Sequence, residues 1–242
     1  MANSILNIPV PNLLLILIPV AVVIGIYSRW SLGAGTPVYA ACRMVLQLVL
    51  VGYALTYVFE SKHPAIVYLV LCMMLTAASW IALRPLAEQR RKLYWKAALA
   101  VGAGSLPILA LVTGGVLRLD PWFAPRYLIP LAGMIFANSM NSLSLAAERF
   151  DSELKGGADY QRARNAAYRA CLLPLMNMFF AMGLVSLPGM MTGQILSGTD
   201  PLIAIRYQIL VMCMVFGASG ITAAVYLTLL KPDVSASASA ER

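Results

Sequence analysis

Long apolar blocks separated by short polar stretches set the pattern of this chain. A helix that crosses a bilayer needs about 20 mostly apolar residues. Blocks of that length lie near residues 11–28, 38–59, 64–83, 96–117, 126–147, 171–197 and 207–229. The pattern predicts an all-α, polytopic membrane protein with about seven transmembrane helices. Residues 1–231 form one transmembrane domain on this reading, and the small polar stretch 232–242 reads as a disordered tail. The opening MANSILNIPV carries no Lys or Arg, so the first block lacks the basic flank of a signal peptide and reads as a retained span.

Composition agrees with a lipid solvent. Hydrophobic residues make up 60% of the 242 positions and charged residues only 12%, with a mean hydropathy of +0.78. Soluble domains are charged at about a quarter of their positions. The net charge of +8 does not point to nucleic acid, because the basic residues flank apolar blocks and do not gather in one soluble patch. Cys42, Cys72, Cys171 and Cys213 all fall in apolar blocks without CxxC spacing, so neither a disulfide framework nor a zinc site is suggested.

The placement of the basic residues orients the chain. Arg29, Arg84, Arg90, Arg91, Lys92, Lys96, Arg149, Lys155, Arg162, Arg164, Arg169, Lys231 and Arg242 all fall on one side, a total of 13. The other side holds 4, namely Lys62, Arg118, Arg126 and Arg206. The excess belongs in the cytosol, which places the N-terminus outside and the C-terminus inside. Trp30, Trp80, Trp95 and Trp122 lie at or just beyond the block ends, where an aromatic belt forms.

Energy sources can be tested on residue types. A P-loop ends in Lys followed by Ser or Thr, whereas the five lysines here precede His, Leu, Ala, Gly and Pro. Proton relays use carboxylates or histidines inside the bilayer. The ten acidic residues lie at block edges, in loops or in the tail, and His63 lies in a short outer loop. A proton relay, a catalytic acid–base pair and a His/Glu metal centre are all disfavoured. The chain reads as a passive membrane module moved by something else.

Polar residues within the blocks are candidates for lining a path. Asn138, Asn141 and Ser142 follow i, i+3, i+4 spacing on one block, and Arg43 and Gln47 lie four apart on another. Interhelical hydrogen bonding is the alternative for the asparagines, and snorkelling to the headgroups the alternative for Arg43. Met190 and Met191, preceded by Met176, Met178 and Met182, are thioethers suited to soft metals. Methionine equally fills gaps in apolar packing, so no metal ligand set is assigned.

Between the fifth and sixth blocks, ERFDSELK leads into GGADYQRARNAAYRACLLP, residues 156–174. Gly156 and Gly157 suggest a turn that opens a short helix along the cytosolic surface, with Arg162 and Arg164 on it. Such a helix either receives force from a separate ATPase or is a plain connector resting on anionic lipid.

The stretch GLVSLPGMMTGQILSGTDPLIAIRYQI, residues 183–209, resembles the FetB family of ABC transporter permeases. RMVLQLVLVGY (43–53), IPLAGMIFANSM (129–140) and the pair Gly157–Ala158 carry the same resemblance. The family includes bacterial proteins linked to iron export and plant relatives linked to aluminium tolerance. The stretch between Asn138 and Pro174 is shorter than is usual in it. The resemblance implies an inner-membrane permease, paired as a homodimer over separate ATPase subunits that carry the ATP and magnesium. This chain would hold no cofactor and no active site, and residues 156–170, with Gly156, Gly157, Ala158, Arg162 and Arg164, would couple it to the ATPase. A non-metal substrate such as a sugar nucleotide, or a self-sufficient transporter or channel, are the competing readings.

Pro188 interrupts the sixth block, because proline removes a backbone donor and its ring clashes with the preceding turn. Gly189 and Gly193 have the small-xxx-small spacing of close helix packing. Pro188, Gly189, Met190 and Met191 are therefore expected in a broken helix, either at a permease–permease interface beside the path or as a plain kink. The orientation is testable with a single cysteine at position 241. Thiol labelling is expected only after permeabilisation; labelling from outside intact cells would refute it.

Overall fold

Backbone donors and acceptors inside a bilayer find no water, so each apolar block must satisfy them internally as helix. The computed structural model describes residues 9–60 and 63–232. Among these there is no strand, only an isolated bridge between Met182 and Ser186. The disordered tail expected over 232–242 lies outside the described residues apart from Pro232, which continues a short helical turn.

The chain divides into two compact units: Met1–Lys62 with Leu196–Gly198, and His63–Ile195 with Thr199–Arg242. The first contains α1 (Val10–Leu14), α2 (Leu17–Arg29) and α3 (Gly35–Glu60). None of its described residues is buried; Leu15, Leu46 and Leu48 turn apolar side chains outward, as lipid-facing helices do.

The second unit contains α4 (Pro64–Ala82), α5 (Arg90–Ala110), α6 (Pro125–Lys155), α7 (Tyr160–Ala181), α8 (Gly189–Leu196) except for its last residue, and α9 (Pro201–Leu229). Proline opens α4, α6 and α9, at the position where a missing N–H costs nothing. Asp159 caps α7 by accepting from the Arg162 amide at 2.7 Å, and Asp200 caps α9 by accepting from the Leu202 amide at 2.8 Å. Two of the loop carboxylates thus have a structural use. After Pro107, α5 widens into a π-helical segment, Leu111–Val116.

Small residues let the helices of this unit pack closely. Helix α9 packs on α5 and α6, and α6 packs on α7 and α4. Ala97, Ala100, Ala132, Ala146 and Ala218 are fully buried at these seams. The tightest approach joins α5 to α9: a Cβ on Gly104 would meet Thr222 Oγ1 at 2.2 Å, Thr222 N at 2.6 Å and Ala218 O at 2.8 Å. Ser105 and Ser139, both fully buried, hydrogen-bond across α5 and α6 at 3.2 Å.

Among the described residues, six helical stretches are long and apolar enough to cross a membrane: Pro11–Arg29, Gly35–Phe59, Pro64–Ala82, Arg90–Val116, Pro125–Lys155 and Pro201–Leu229. They match six of the expected spans. The expected block 171–197 is not one helix: its first part completes α7, residues 182–188 are non-helical, and its last part is the eight-residue α8. The surface helix expected from Ala158 to Arg169 is likewise not separate. Asp159 starts α7, which then runs unbroken through Pro174 to Ala181. The basic stretch and the first half of the apolar block share one helix because nothing between Tyr160 and Ala181 removes enough hydrogen bonds to stop it.

The α5–α9 seam makes a clear prediction. Gly104→Ala should destabilise the protein by about 1–3 kcal/mol, since Thr222 N and Ala218 O are backbone atoms that cannot rotate away. Gly102→Ala, whose Cβ meets only Leu75 Cδ1 at 3.8 Å, should be nearly neutral. Thermal unfolding of both variants in detergent checks the difference.

Candidate coupling and transport sites

One end of the second unit gathers most of its basic residues. Helix α6 ends at Lys155 and the chain reverses through Gly156–Asp159 into α7. The amide of Gly156 donates to Ser152 O at 3.0 Å, that of Gly157 to Leu154 O at 2.9 Å and that of Ala158 to Glu153 O at 3.0 Å. Gly157 has φ +82°, the left-handed helix terminus that glycine adopts without a steric penalty. The Gly-Gly turn expected from the sequence is present, but it caps α6 tightly.

The start of α7 is fastened to its neighbours. The Tyr160 hydroxyl donates to Leu227 O on α9 at 3.0 Å, and its ring meets Phe150 edge-on with centroids 5.9 Å apart. Arg162 is exposed and Arg164 half-buried. On the adjoining hairpin the Arg90 guanidinium lies 3.9 Å over the Trp80 ring, and its Nε donates to Trp80 O at 2.8 Å near the end of α4. A cleft of about 310 Å³ opens between this α4–α5 turn and the end of α6, lined by Pro85, Leu86, Glu88, Gln89, Asp151 and Lys155. The five residues expected to couple the chain therefore lie in one turn and the helix start that follows, beside a cleft.

The path candidates are more dispersed. Arg43 and Gln47 are exposed on α3, in the first unit. On α6, Ser142 is buried, Asn138 is half-buried and Asn141 is exposed. Positions i+3 and i+4 lie about 100° apart around a helix, so Ser142 joins the buried stripe while Asn141 falls outside it. The Asn138 amide donates within its own helix, to Met134 O at 2.8 Å, and does not bridge helices.

The break in the sixth block falls earlier than the proline. Helix α7 stops at Met182, which is extended, and Gly183 has φ +81°. Ala181 O accepts from the amides of Leu184, Val185 and Ser186, and the Gly183 amide donates to Ser186 O. Pro188 does not kink the helix; it precedes α8 and its carbonyl accepts from both the amide and the hydroxyl of Thr192, at 2.9 and 3.1 Å. The glycine reversal, six residues before α8, ends the helix because the turn it closes supplies the bonds that the next helical turn would have made. Phe179 and Phe216 stack at 5.0 Å, which sets the end of α7 beside the middle of α9. Leu184 and Val185 are 91% and 83% exposed. A Cβ on Gly189 or Gly193 would meet nothing within 4 Å, so neither glycine serves packing among the described residues. Met190 and Met191 are half-buried. Among the described residues no three His, Cys, Asp or Glu side chains gather to hold a metal ion.

Sequence reasoning missed a polar seam inside the second unit. Besides the Ser105–Ser139 pair, Gln208 Oε1, Ser219 Oγ and Thr222 Oγ1 are buried without a hydrogen-bond partner among the described residues. The small-residue runs AVGAGS (100–105) and GASG (217–220) were the available signal.

Comparison with known proteins decides the family. The model of the uncharacterised protein family UPF0014 matches residues 10–234. The chain belongs to the UPF0014 family. A UPF0014 membrane protein of Synechocystis is 39% identical over 79% of this chain and 82% of its own length. The protein named probable iron export permease protein FetB of Escherichia coli is 31% identical over 90% of this chain and 89% of its own. Protein ALUMINUM SENSITIVE 3 of Arabidopsis thaliana is 30% identical over 88% and 81% respectively. No solved structure matches. The UPF0014 assignment agrees with the resemblance to FetB read from the sequence, and with a multi-pass membrane protein.

The geometry of the break predicts that Pro188→Ala leaves α7 and α8 separate, with helix content by circular dichroism unchanged and stability altered by less than about 0.5 kcal/mol. Gly183→Ala, which forces an alanine to φ +81°, should cost about 1–2 kcal/mol in thermal unfolding.

Proposed function

We propose that this chain is the membrane-spanning permease subunit of an ABC transporter, exporting iron or another metal with ATP hydrolysed by a separate subunit. The observation that carries this reading is the 31% identity to the E. coli protein named a probable iron export permease, held over nine-tenths of both chains. The sequence contributes the second element: no lysine is followed by the Ser or Thr of a P-loop, so ATP must act on another chain.

The ATPase docks on the basic end, where Gly156, Gly157 and Ala158 form the reversal and Arg162 and Arg164 open α7 beside the cleft. That end is cytosolic in this reading, as the basic excess requires. The Tyr160–Leu227 bond sets the start of α7 beside the end of α9, so the chain returns across the bundle between Tyr160 and Pro201. This return supports a seventh crossing, made by α7 and the segment through α8, and a cytosolic C-terminus in the inner membrane. Exposed non-helical backbone at membrane depth is tolerated only against protein or a water-filled cavity. Leu184, Val185, Gly189 and Gly193 therefore meet a second permease beside the path, in a homodimer. Among the described residues no carboxylate–imidazole cluster forms, which favours a metal that crosses chelated.

The test is ATP-dependent iron flux from vesicles holding the purified chain and its ATPase subunit. Iron, other metals and sugar nucleotides are compared, with ATP withheld as the control. Flux without ATP would point to a self-sufficient transporter. Arg162→Glu, an exposed reversal of charge, should lower ATPase stimulation and flux roughly tenfold while leaving thermal stability unchanged. Full stimulation by that variant would remove the basic end from the docking surface.

A further inference from the structure

The second unit carries a groove of about 300 Å³ between α7 and α9, lined by Arg164, Asn165, Tyr168, Ala224, Leu227 and Thr228. We infer that it binds the phosphate of an anionic phospholipid headgroup. The hydrogen-bond inventory sets the ligand chemistry. Asn165 Oδ1 already accepts from Arg164 Nε at 3.2 Å and from a terminal guanidinium nitrogen at 3.0 Å. The Thr228 hydroxyl proton is committed to Ala224 O at 2.8 Å. Beyond the hydroxyl lone pairs of Thr228 and Tyr168, what the groove has left to offer is donors: the rest of the Arg164 fork, the Asn165 amide nitrogen and the Tyr168 hydroxyl.

Charge points the same way. Among the described residues Arg164 has no carboxylate partner; its guanidinium hydrogen-bonds to Asn165 and lies 5.8 Å from the Tyr160 ring centroid. An unneutralised guanidinium beside two further donors calls for an anion rich in acceptor oxygens, and the planar fork suits phosphate. Position selects a lipid as its source. Arg164 is four residues, about 6 Å, along α7 from Tyr160, whose hydroxyl meets α9 near its end. The groove thus opens one turn in from the helix ends, at headgroup level, with Ala224 and Leu227 giving it an apolar floor. Basic pockets between helices at this level hold lipid headgroups in other membrane proteins. Gly220 shapes the site: a Cβ there would lie 3.4 Å from the Tyr168 hydroxyl, so glycine leaves room for the ring to lean on α9. The assignment stands whether or not the chain is an ABC permease.

The test uses the full chain in detergent, titrated with phosphatidylglycerol, with phosphatidylcholine and with inorganic phosphate, and followed by thermal stability and by native mass spectrometry. Phosphatidylglycerol should bind and stabilise, phosphatidylcholine much less, and inorganic phosphate should not displace the lipid. Arg164→Gln should weaken phosphatidylglycerol binding about fivefold. Tyr168→Phe, which keeps the ring and removes one donor, should weaken it less. Arg162→Gln removes the same charge from the same helix outside the groove and should retain selective binding. Should Arg164→Gln melt early in phosphatidylcholine, Tyr168→Phe decides alone. Equal losses from Arg162→Gln and Arg164→Gln would reduce the effect to diffuse attraction and overturn the site. Displacement by inorganic phosphate would reassign it to a soluble anion and overturn the lipid. Loss of ATPase-subunit binding in Arg164→Gln with an unchanged lipid response would assign the groove to protein and overturn it too.

Discussion

Within the bilayer a peptide group has no solvent partner, and each feature of this chain answers to that scarcity. Helices arise wherever the apolar blocks run long enough. Their starts are handled by residues that relieve orphaned amides, Pro64, Pro125 and Pro201 by lacking one near the start and Asp159 and Asp200 by accepting one. Where the helix stops at Ala181, its carbonyl accepts from three successive amides, so the first turn of the non-helical segment is bonded to the helix end. At the level of α9's middle the amides of Gly183, Leu184, Val185 and Ser186 are all paired within the turn itself.

Side-chain packing takes over once the backbone is satisfied. Lipid tails are as apolar as leucine, so burial alone does not hold helices together; close approach and short polar contacts do. Gly104 against Ala218 and Thr222, and Ser105 against Ser139, supply both between α5, α9 and α6. Tyr160 then ties α7 to α9 across 67 residues of sequence. The packed second unit thereby holds the Gly156–Gly157 reversal, the neighbouring cleft and the α7–α9 groove in fixed relation at one end.

The two regions of functional interest have opposite character. The basic end is anchored by capping, an aromatic pair and a buried-side hydrogen bond, and presents charge outward. The segment 182–196 is apolar, with Leu184, Val185, Leu187 and Leu196 exposed, and its turn is closed by local backbone bonds. An anchored basic end and a locally bonded break between α7 and α8 are the two features on which the proposed transport role rests. The Arg164 groove sits on the anchored side, where a bound headgroup would hold α7 and α9 at a common depth.

Length and hydropathy by themselves determined the membrane class and six of the spans, and the Gly156–Gly157 pair marked the turn after α6, because those properties depend on local chain chemistry alone. The motifs around residues 43–53, 129–140 and 183–209 were enough for the family. What the sequence could not place was how far each helix continues. Asp159 opens one helix through both a basic and an apolar stretch, so a boundary drawn on hydropathy near residue 171 marked no change of structure. Pro188 drew attention as the breaker, yet the chain had already left the helix at Gly183, since a proline's effect depends on whether a helix still exists to be broken. The facing of Asn141, the Gly104–Thr222 contact and the donor-rich groove on α7 and α9 were decided by tertiary structure alone. Each depends on which residues distant in sequence meet, and helical spacing carries no information about the partner across the seam.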